Sequence, residues 1–227
     1  MQPYFFPYVG YFQLIAAVDV FVVYDNIQYT KQGWINRNRI LRDGEAAMIS
    51  LPLKKASDYL DVRDRELAVD FRRDKLLNQL RGAYQAAPYF AATFPLIEDI
   101  VHCAQNSLFH FLHNCICRIC THLGLTATIQ ISSEIAVDHG LRSEQKVMAL
   151  CRALGATRYV NAIGGVELYS REAFMAQGIE LKFLRSMPFD YAQFGKAFVP
   201  WLSIIDVLMF NPLEAVRAQI RTGYELI

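Results

Sequence analysis

Val18-Asp19-Val20-Phe21-Val22-Val23-Tyr24-Asp25-Asn26-Ile27-Gln28-Tyr29-Thr30-Lys31-Gln32-Gly33-Trp34-Ile35-Asn36-Arg37-Asn38-Arg39 passes directly from a β-branched apolar run into a crowd of polar and aromatic groups. The run Val18–Tyr24 predicts a buried strand. A strand this apolar is usually covered on both faces, which points to an α/β sheet. Residues 24–39 then carry one acid, two arginines, a lysine, three asparagines, two glutamines and three large aromatic rings. An ordinary turn favours Gly, Pro, Ser and Asp instead. Guanidinium forks, carboxamides and an indole are groups that read planar anions and rings. The segment is therefore expected to be a ligand site at the end of a strand. From Trp34 to Leu41 the alternation predicts a second strand, with Asn36 and Asn38 on one face and Arg37 and Arg39 on the other. Two arginines two residues apart lie about 7 Å apart along a strand, a span that suits a diphosphate or a carboxylate. The competing reading is an ion-pair cluster with Asp19, Asp25 or Asp43.

The whole chain has 227 residues, 53% hydrophobic and 20% charged, with a formal net charge of +1. That length suits a single α/β domain over 1–227 with a full core. A near-neutral balance argues against a phosphate-neutralising surface, so no nucleic acid is expected as partner. No window reaches the roughly 18 apolar residues of a membrane span. The five cysteines are odd in number and no signal-peptide pattern is present, which leads us to expect a reducing, cytoplasmic setting. Cys117 and Cys120 form a C-x-x-C with His110, His113 and His122 nearby. A zinc site is one reading, but closed zinc sites usually join separate loops, and this segment reads as helix. We expect no metal.

Pro3 and Pro7 keep the aromatic N-terminal residues out of helix until about Gly10, from which a short helix runs to Ala17. A strand is expected to feed this loop from ahead of the numbered sequence. Ala46–Leu53 predicts a strand, and Val62–Leu67 a short charged edge strand. Residues 70–124 turn helical and form an insertion or cap over the sheet. After Gly124 the α/β rhythm returns, with strands at 125–132, 158–161 and 179–184 and helices at 143–154 and 170–176. Gly164-Gly165, between a strand and a helix, fits an anion cradle of free N–H groups as well as a tight turn. Asp206 lies inside the apolar run Leu202–Phe210 and must be partnered or protonated there. Either it is a tuned acid or base, or it caps backbone groups or pairs with Arg37 or Arg39. A final helix is expected at 212–221.

No Ser-His-Asp order, Walker A loop, metalloprotease motif or G-x-S-x-G elbow is present. Catalysis would then rest on positioning and charge stabilisation, with Asp25, Asp206 and Lys31 as the candidate catalytic residues. The runs 2–15, 24–31 and 34–39, then Tyr159-Val160-Asn161 with Gly164-Gly165 and Leu168-Tyr169, and finally 202–211, together resemble the WbqC-like protein family. That resemblance implies a bacterial cytoplasmic enzyme of O-antigen or other surface-polysaccharide biosynthesis. It implies modification of nucleotide-linked amino sugars, and the first reading we take from it is transfer of an acyl or aminoacyl group to such a sugar. Pro7-Tyr8-Val9-Gly10-Tyr11-Phe12 also has the spacing of the His-x-Gly-His signature of nucleotidyltransferases and class I aminoacyl-tRNA synthetases. This implies a mostly parallel, Rossmann-like sheet of the nucleotidyltransferase kind. Here tyrosines replace the histidines and bring no positive charge, which puts ordinary nucleotidyl transfer in doubt.

The candidate binding residues fall in three groups. Gln2, Tyr8, Gly10 and Tyr11 come from the first motif. Gln28, Trp34, Asn36, Arg37, Asn38 and Arg39 come from the polar segment. Asn161, Gly164, Gly165 and Tyr169 come from the later strand and loop. The expected partner is a small anionic molecule such as a nucleotide sugar, with ATP or an acyl donor as co-substrate, and a homo-oligomer is compatible with the sequence. Two alternatives stay open, an ATP-using ligase-like enzyme and a non-catalytic binding or assembly protein of a polysaccharide operon.

Overall fold

In the computed structural model, which describes residues 1–195 and 197–227, the apolar run becomes β1 (Val20–Val23). It pairs in parallel with β4 (Thr128–Ile131), Val20 opposite Thr128 and Val23 opposite Ile131. Helix α1 (Val9–Ala16) precedes it, starting as soon as Pro7 allows. Every residue from Val9 to Ile15 is buried, and neither end carries a charge matched to the helix dipole. Packing rather than capping therefore holds α1. Its one amide, Gln13, is fully buried and donates from Nε2 to the carbonyls of Gln219 and Gly223. It thereby satisfies the open end of α8 (Leu213–Thr222).

The polar segment leads into a hairpin of β2 (Arg37–Arg42) and β3 (Glu45–Ser50). Asp43 and Gly44 turn it with φ of 57° and 88°, the twist a two-residue hairpin needs. The strand begins at Arg37, not Trp34. Val62–Leu67 is not an edge strand either, for Val62–Asp64 forms a single 3₁₀ turn. Only Val62 and Leu67 of that stretch find apolar cover, and Arg65 is buried by laying its guanidinium over the Tyr29 ring at 4.7 Å. A strand pattern has no period left there.

The helical region resolves into α2 (Arg73–Tyr84), α3 (Phe90–Val101) and α4 (Leu108–Leu123). Ser107 caps α4 by accepting from the His110 N–H, and Gly124 closes it in the left-handed conformation, φ 68°. These helices share one apolar core with α1, the hairpin, α7 (Ile204–Phe210) and α8. The C-terminal half adds α5 (Ser143–Ala153), β5 (Arg158–Ala162), the short α6 (Arg171–Met175), β6 (Glu180–Ser186) and β7 (Tyr224–Leu226). A smaller cluster around Phe174 and Phe183 packs there.

The described residues thus form a mixed α/β structure with three small sheets, which include the parallel pairs β1–β4 and β5–β6. The expected mostly parallel sheet is broken in two places. β6 takes β7 as an antiparallel neighbour, and β1 and β5 share no hydrogen-bonded ladder among the described residues. Between β1 and β5 lies a cleft of about 660 Å³.

Candidate functional site

Three segments meet at the start of β2. Asn38, buried beneath the N-terminal loop, donates from Nδ2 to the carbonyls of Phe5 and Phe6 at 3.0 and 2.8 Å. Ser203 donates its hydroxyl to the same Phe6 carbonyl at 2.8 Å and its N–H to the Arg39 carbonyl at 2.9 Å. These bonds fix Phe6 at a φ of 42°, a left-handed conformation that a bulky residue keeps only where its surroundings impose it. The result is a corner where residues 2–8, 34–39 and 199–203 cannot move independently.

On the outside of that corner stand Tyr8, Trp34, Arg39 and Trp201. The Arg39 guanidinium lies over the Trp34 ring at 5.5 Å and donates from Nη2 to the Trp201 carbonyl at 3.3 Å. The Trp201 ring meets Tyr8 edge-on at 6.2 Å. Both tryptophans of the chain are here, and they are 38% and 53% exposed. Neither Arg37 nor Arg39 forms an ion pair among the described residues. The ion-pair reading of these arginines thus finds no partner. Arg37 instead donates from Nε to the Gly33 carbonyl, while Arg39 Nε is buried with no acceptor. Trp34 sits beside Arg39 rather than on the asparagine side, because the backbone is not yet a strand at Trp34.

Gly10 explains the first motif physically. A Cβ there would come within 2.4 Å of the Tyr8 ring and 2.5 Å of the Ser186 hydroxyl oxygen, so the ring folds back over the helix start only above a glycine. Tyr8 precedes α1 with extended backbone and stays half-buried, and burial pushes its phenol up. Tyr11 is sunk in the core, donating to the Gln2 carbonyl.

Other candidates serve elsewhere. Asn36 accepts from the Tyr29 hydroxyl and donates to the Leu51 carbonyl. Gln28 donates to the Asp58 carbonyl, and Lys31 pairs with Asp58 at 2.8 Å in open solvent. Asn161 folds over Gly165, where a Cβ would lie 2.5 Å from its Nδ2. Gly164 and Gly165 belong to a 3₁₀ stretch, Ile163–Leu168, and Tyr169 packs edge-on against Tyr159 at 5.7 Å. Helix α6 has only five residues, a poor dipole for an anion cradle.

The two acids are closed knots. Parallel register sets Asp25 beside the end of β4, where it accepts from Ser132 Oγ, Ser133 N–H and Ser133 Oγ at 2.9, 3.0 and 2.6 Å. Burial raises its pKa, but these bonds outweigh burial and leave the carboxyl below its ordinary value. Arg63 reaches it only at 4.0 Å. Next door Lys146 sits over the Tyr24 ring and donates to Asn26 Oδ1 at 3.2 Å. Asp206, on α7, accepts from Tyr84, Tyr191 and Gln193 at 2.8, 2.7 and 2.6 Å. Its partners are therefore phenols and an amide, not Arg37 or Arg39. Burial pushes its carboxyl up, and the three donors pull it part of the way back.

Trp201, Ser132, Ser133 and Lys146 escaped the sequence reading. A lone Trp after a Pro, or two serines after a strand, carries no signal until strand pairing shows what it faces. None of residues 25–39 lines the cleft between β1 and β5, so the polar segment borders an open corner instead of that cavity. Among the described residues no three His, Cys, Asp or Glu side chains are placed to hold a metal ion. Among the described residues no helix is long and apolar enough to cross a membrane.

No solved structure matches the chain. An uncharacterized protein of Mycobacterium tuberculosis, Rv1507c, is 28% identical over 214 residues, covering 93% of this chain and 91% of that protein. The model of the WbqC-like protein family matches residues 2–218, a span that takes in the locked N-terminal loop, the Arg39 corner and both carboxylate knots, and the chain belongs to that family.

Proposed function

We propose that the chain is a cytoplasmic enzyme of surface-polysaccharide biosynthesis that transfers an acyl or aminoacyl group to a nucleotide-linked amino sugar. The observation that carries this reading is the Arg39 corner. A guanidinium without a carboxylate partner among the described residues lies over the exposed Trp34 indole and bonds the backbone carbonyl of Trp201, the other tryptophan of the chain. An indole face stacks on a nucleobase, and a guanidinium with free donors binds a phosphate through paired hydrogen bonds. The half-buried Tyr8 phenol supplies a further donor beside them. The rigid backbone beneath would hold this arrangement before the ligand arrives, which lowers the entropy cost of binding. In the transfer the sugar amine attacks an activated acyl group, the new amide forms, and the donor's leaving group departs with the proton balance met by solvent. Membership of the WbqC-like family supports the pathway.

Thermal-shift measurement with UDP- and dTDP-amino sugars tests the reading. We expect stabilisation by these ligands. We also expect Arg39→Ala and Trp201→Ala each to weaken binding by about 2 kcal/mol or more, with little change in the unliganded chain. Stabilisation by ATP alone would favour a ligase-like enzyme. No response to any nucleotide, with capture of a pathway protein, would favour an assembly role. Undiminished binding in both Arg37→Ala and Arg39→Ala would reject the anion site.

A further inference from the structure

Just past the carboxyl ends of the parallel pair β1–β4, polar side chains from three segments gather around one amide. Asn26 Oδ1 accepts from Lys146 Nζ at 3.2 Å, and the Asn26 carbonyl accepts from the same nitrogen at 3.5 Å. The bond to Oδ1 orients the amide, so its Nδ2 donates to His139 Nδ1 at 3.0 Å. The Lys146 nitrogen also lies 5.5 Å from the Tyr24 ring. Lys146 is only 8% exposed, and among the described residues it forms no ion pair. A buried ammonium held by neutral oxygens alone gains from losing its proton. The charged groups that face it are Asp61, Asp25 and Arg63, with His139 on the far side of the amide. Burial outweighs the two acids and pushes the amine down. The carboxyl ends of parallel strands are also where α/β folds place their ligands.

We propose that Lys146 is the proton acceptor of the transfer, in a reaction centre of Tyr24, Asn26, His139 and Lys146 that receives the amine of the amino sugar. This assignment rests on the nucleotide-sugar reading and adds the place where its chemistry occurs. The neutral sugar amine attacks the acyl carbon, and the new C–N bond forms. The proton released from that nitrogen passes to Lys146 Nζ. The bond to the donor's leaving group breaks, the leaving group departs with the electron pair, and Lys146 hands its proton to solvent. A neutral buried lysine suits this step, since a general base must be free of its proton at working pH. Asp25 is unsuited to it, because two serines already donate three hydrogen bonds to its carboxylate and hold it ionised. Asn26 is a positioning residue, for it touches both the amine and the imidazole. The N-terminal loop ties this centre to the Arg39 corner. The Met1 carbonyl accepts from the Tyr24 N–H, and the Phe5 N–H donates to the Trp34 carbonyl. The chain from Met1 to Phe5 spans at most about 14 Å, a distance on the scale of an extended nucleotide sugar.

The test acylates the intact chain with acetic anhydride over a range of pH and follows each lysine by peptide mass spectrometry. Lys146 should label with a midpoint at least about one pH unit below that of the chain's exposed lysines. Asn26→Asp sets a carboxylate beside the amine and should raise that midpoint by about one unit or more, a shift that a merely structural role would not produce. A saturating UDP- or dTDP-amino sugar that stabilises the chain should slow acylation of Lys146 about tenfold or more and leave the exposed Lys55 unchanged. A Lys146 midpoint equal to that of the exposed lysines, or no labelling of Lys146 in the native chain, would overturn the proposal. Stabilisation by a sugar nucleotide without protection of Lys146 would overturn it and leave the nucleotide-sugar reading standing. Absence of stabilisation by any of these sugar nucleotides would remove that reading and this assignment together.

Discussion

The Asp206 knot and the Arg39 corner both draw on the C-terminal stretch 201–206 yet use polar groups in opposite ways. Around Asp206 the donors are matched to the acceptors. The Leu41 N–H donates to the Tyr84 hydroxyl, which donates to one carboxylate oxygen, while Tyr191 and Gln193 take the other. At Arg39 the partners fall short. One guanidinium nitrogen has a carbonyl, another is buried with no acceptor, and two indoles face solvent. A polar group that is fully satisfied in the core ties elements together. One left short of partners at a rigid surface is available to a ligand. The difference teaches that a buried acid can be fully spent as a structural tie, while a guanidinium at a locked corner can keep donors without partners.

Removing the Asp206 carboxylate breaks that contrast from the stability side and should have the largest effect. Asp206→Ala strands three buried donors and should cost about 3 kcal/mol or more in denaturant unfolding. Asp206→Asn should cost less and should also flatten the pH response. With the folded pKa raised, this group favours the native state below the ordinary carboxylate range and loses that favour as pH rises through the raised value. Asp25→Ala should come next, at about 2 kcal/mol, because it frees the two serines that join β1 to β4. Its sign with pH is opposite. The depressed carboxyl adds stability above its unfolded pKa and loses it as acid protonates the native state, so the two variants should diverge in acid-unfolding curves.

The Met1 amine gives a smaller and separable effect. Being lowered to about 5 from 8.0, it is neutral in the native chain at pH 7 but protonated when unfolded. Stability of the chain with a free amine should therefore climb between pH 5 and pH 8, and N-terminal acetylation should remove the climb. Lys31→Ala should do least. Its pair with Asp58 is exposed at both side chains, and equilibrium unfolding should change by less than about 0.5 kcal/mol. A Lys31 variant as damaging as the Asp25 variant would show that exposure is a poor guide here.

Much of the secondary structure was legible. α1, β1, α5 and α8 lie within a few residues of their expected places, α1 because Pro7 sets where it can start and β1 because its apolar run is unbroken. Val62–Leu67 misled because four charged residues out of six can alternate like an edge strand while only two of the neighbours find a core. The strand β7 was missed since three residues, Tyr224–Leu226, carry no period; only the antiparallel edge of β6 makes them a strand. In the polar segment the sequence pointed to Arg39 and Trp34 but treated Asn36 and Asn38 as their equals. Asn38 is a backbone tie that makes the corner rigid, while Asn36 joins Tyr29 to Leu51.

Local chemistry in the chain determined where most helices and strands form, and that the stretch from Tyr24 to Arg39 carries more recognition groups than a turn needs. Those features follow from sterics and apolar spacing, which act between near neighbours. Only the tertiary structure decided which of those groups are used up. Asp25 meets Ser133 through a parallel register, Asp206 meets Tyr84 across 122 residues, and Trp201 reaches Arg39 across 162. Hydrogen bonds between distant segments depend on where the whole core places them, and that placement has no periodicity for a linear reading to detect.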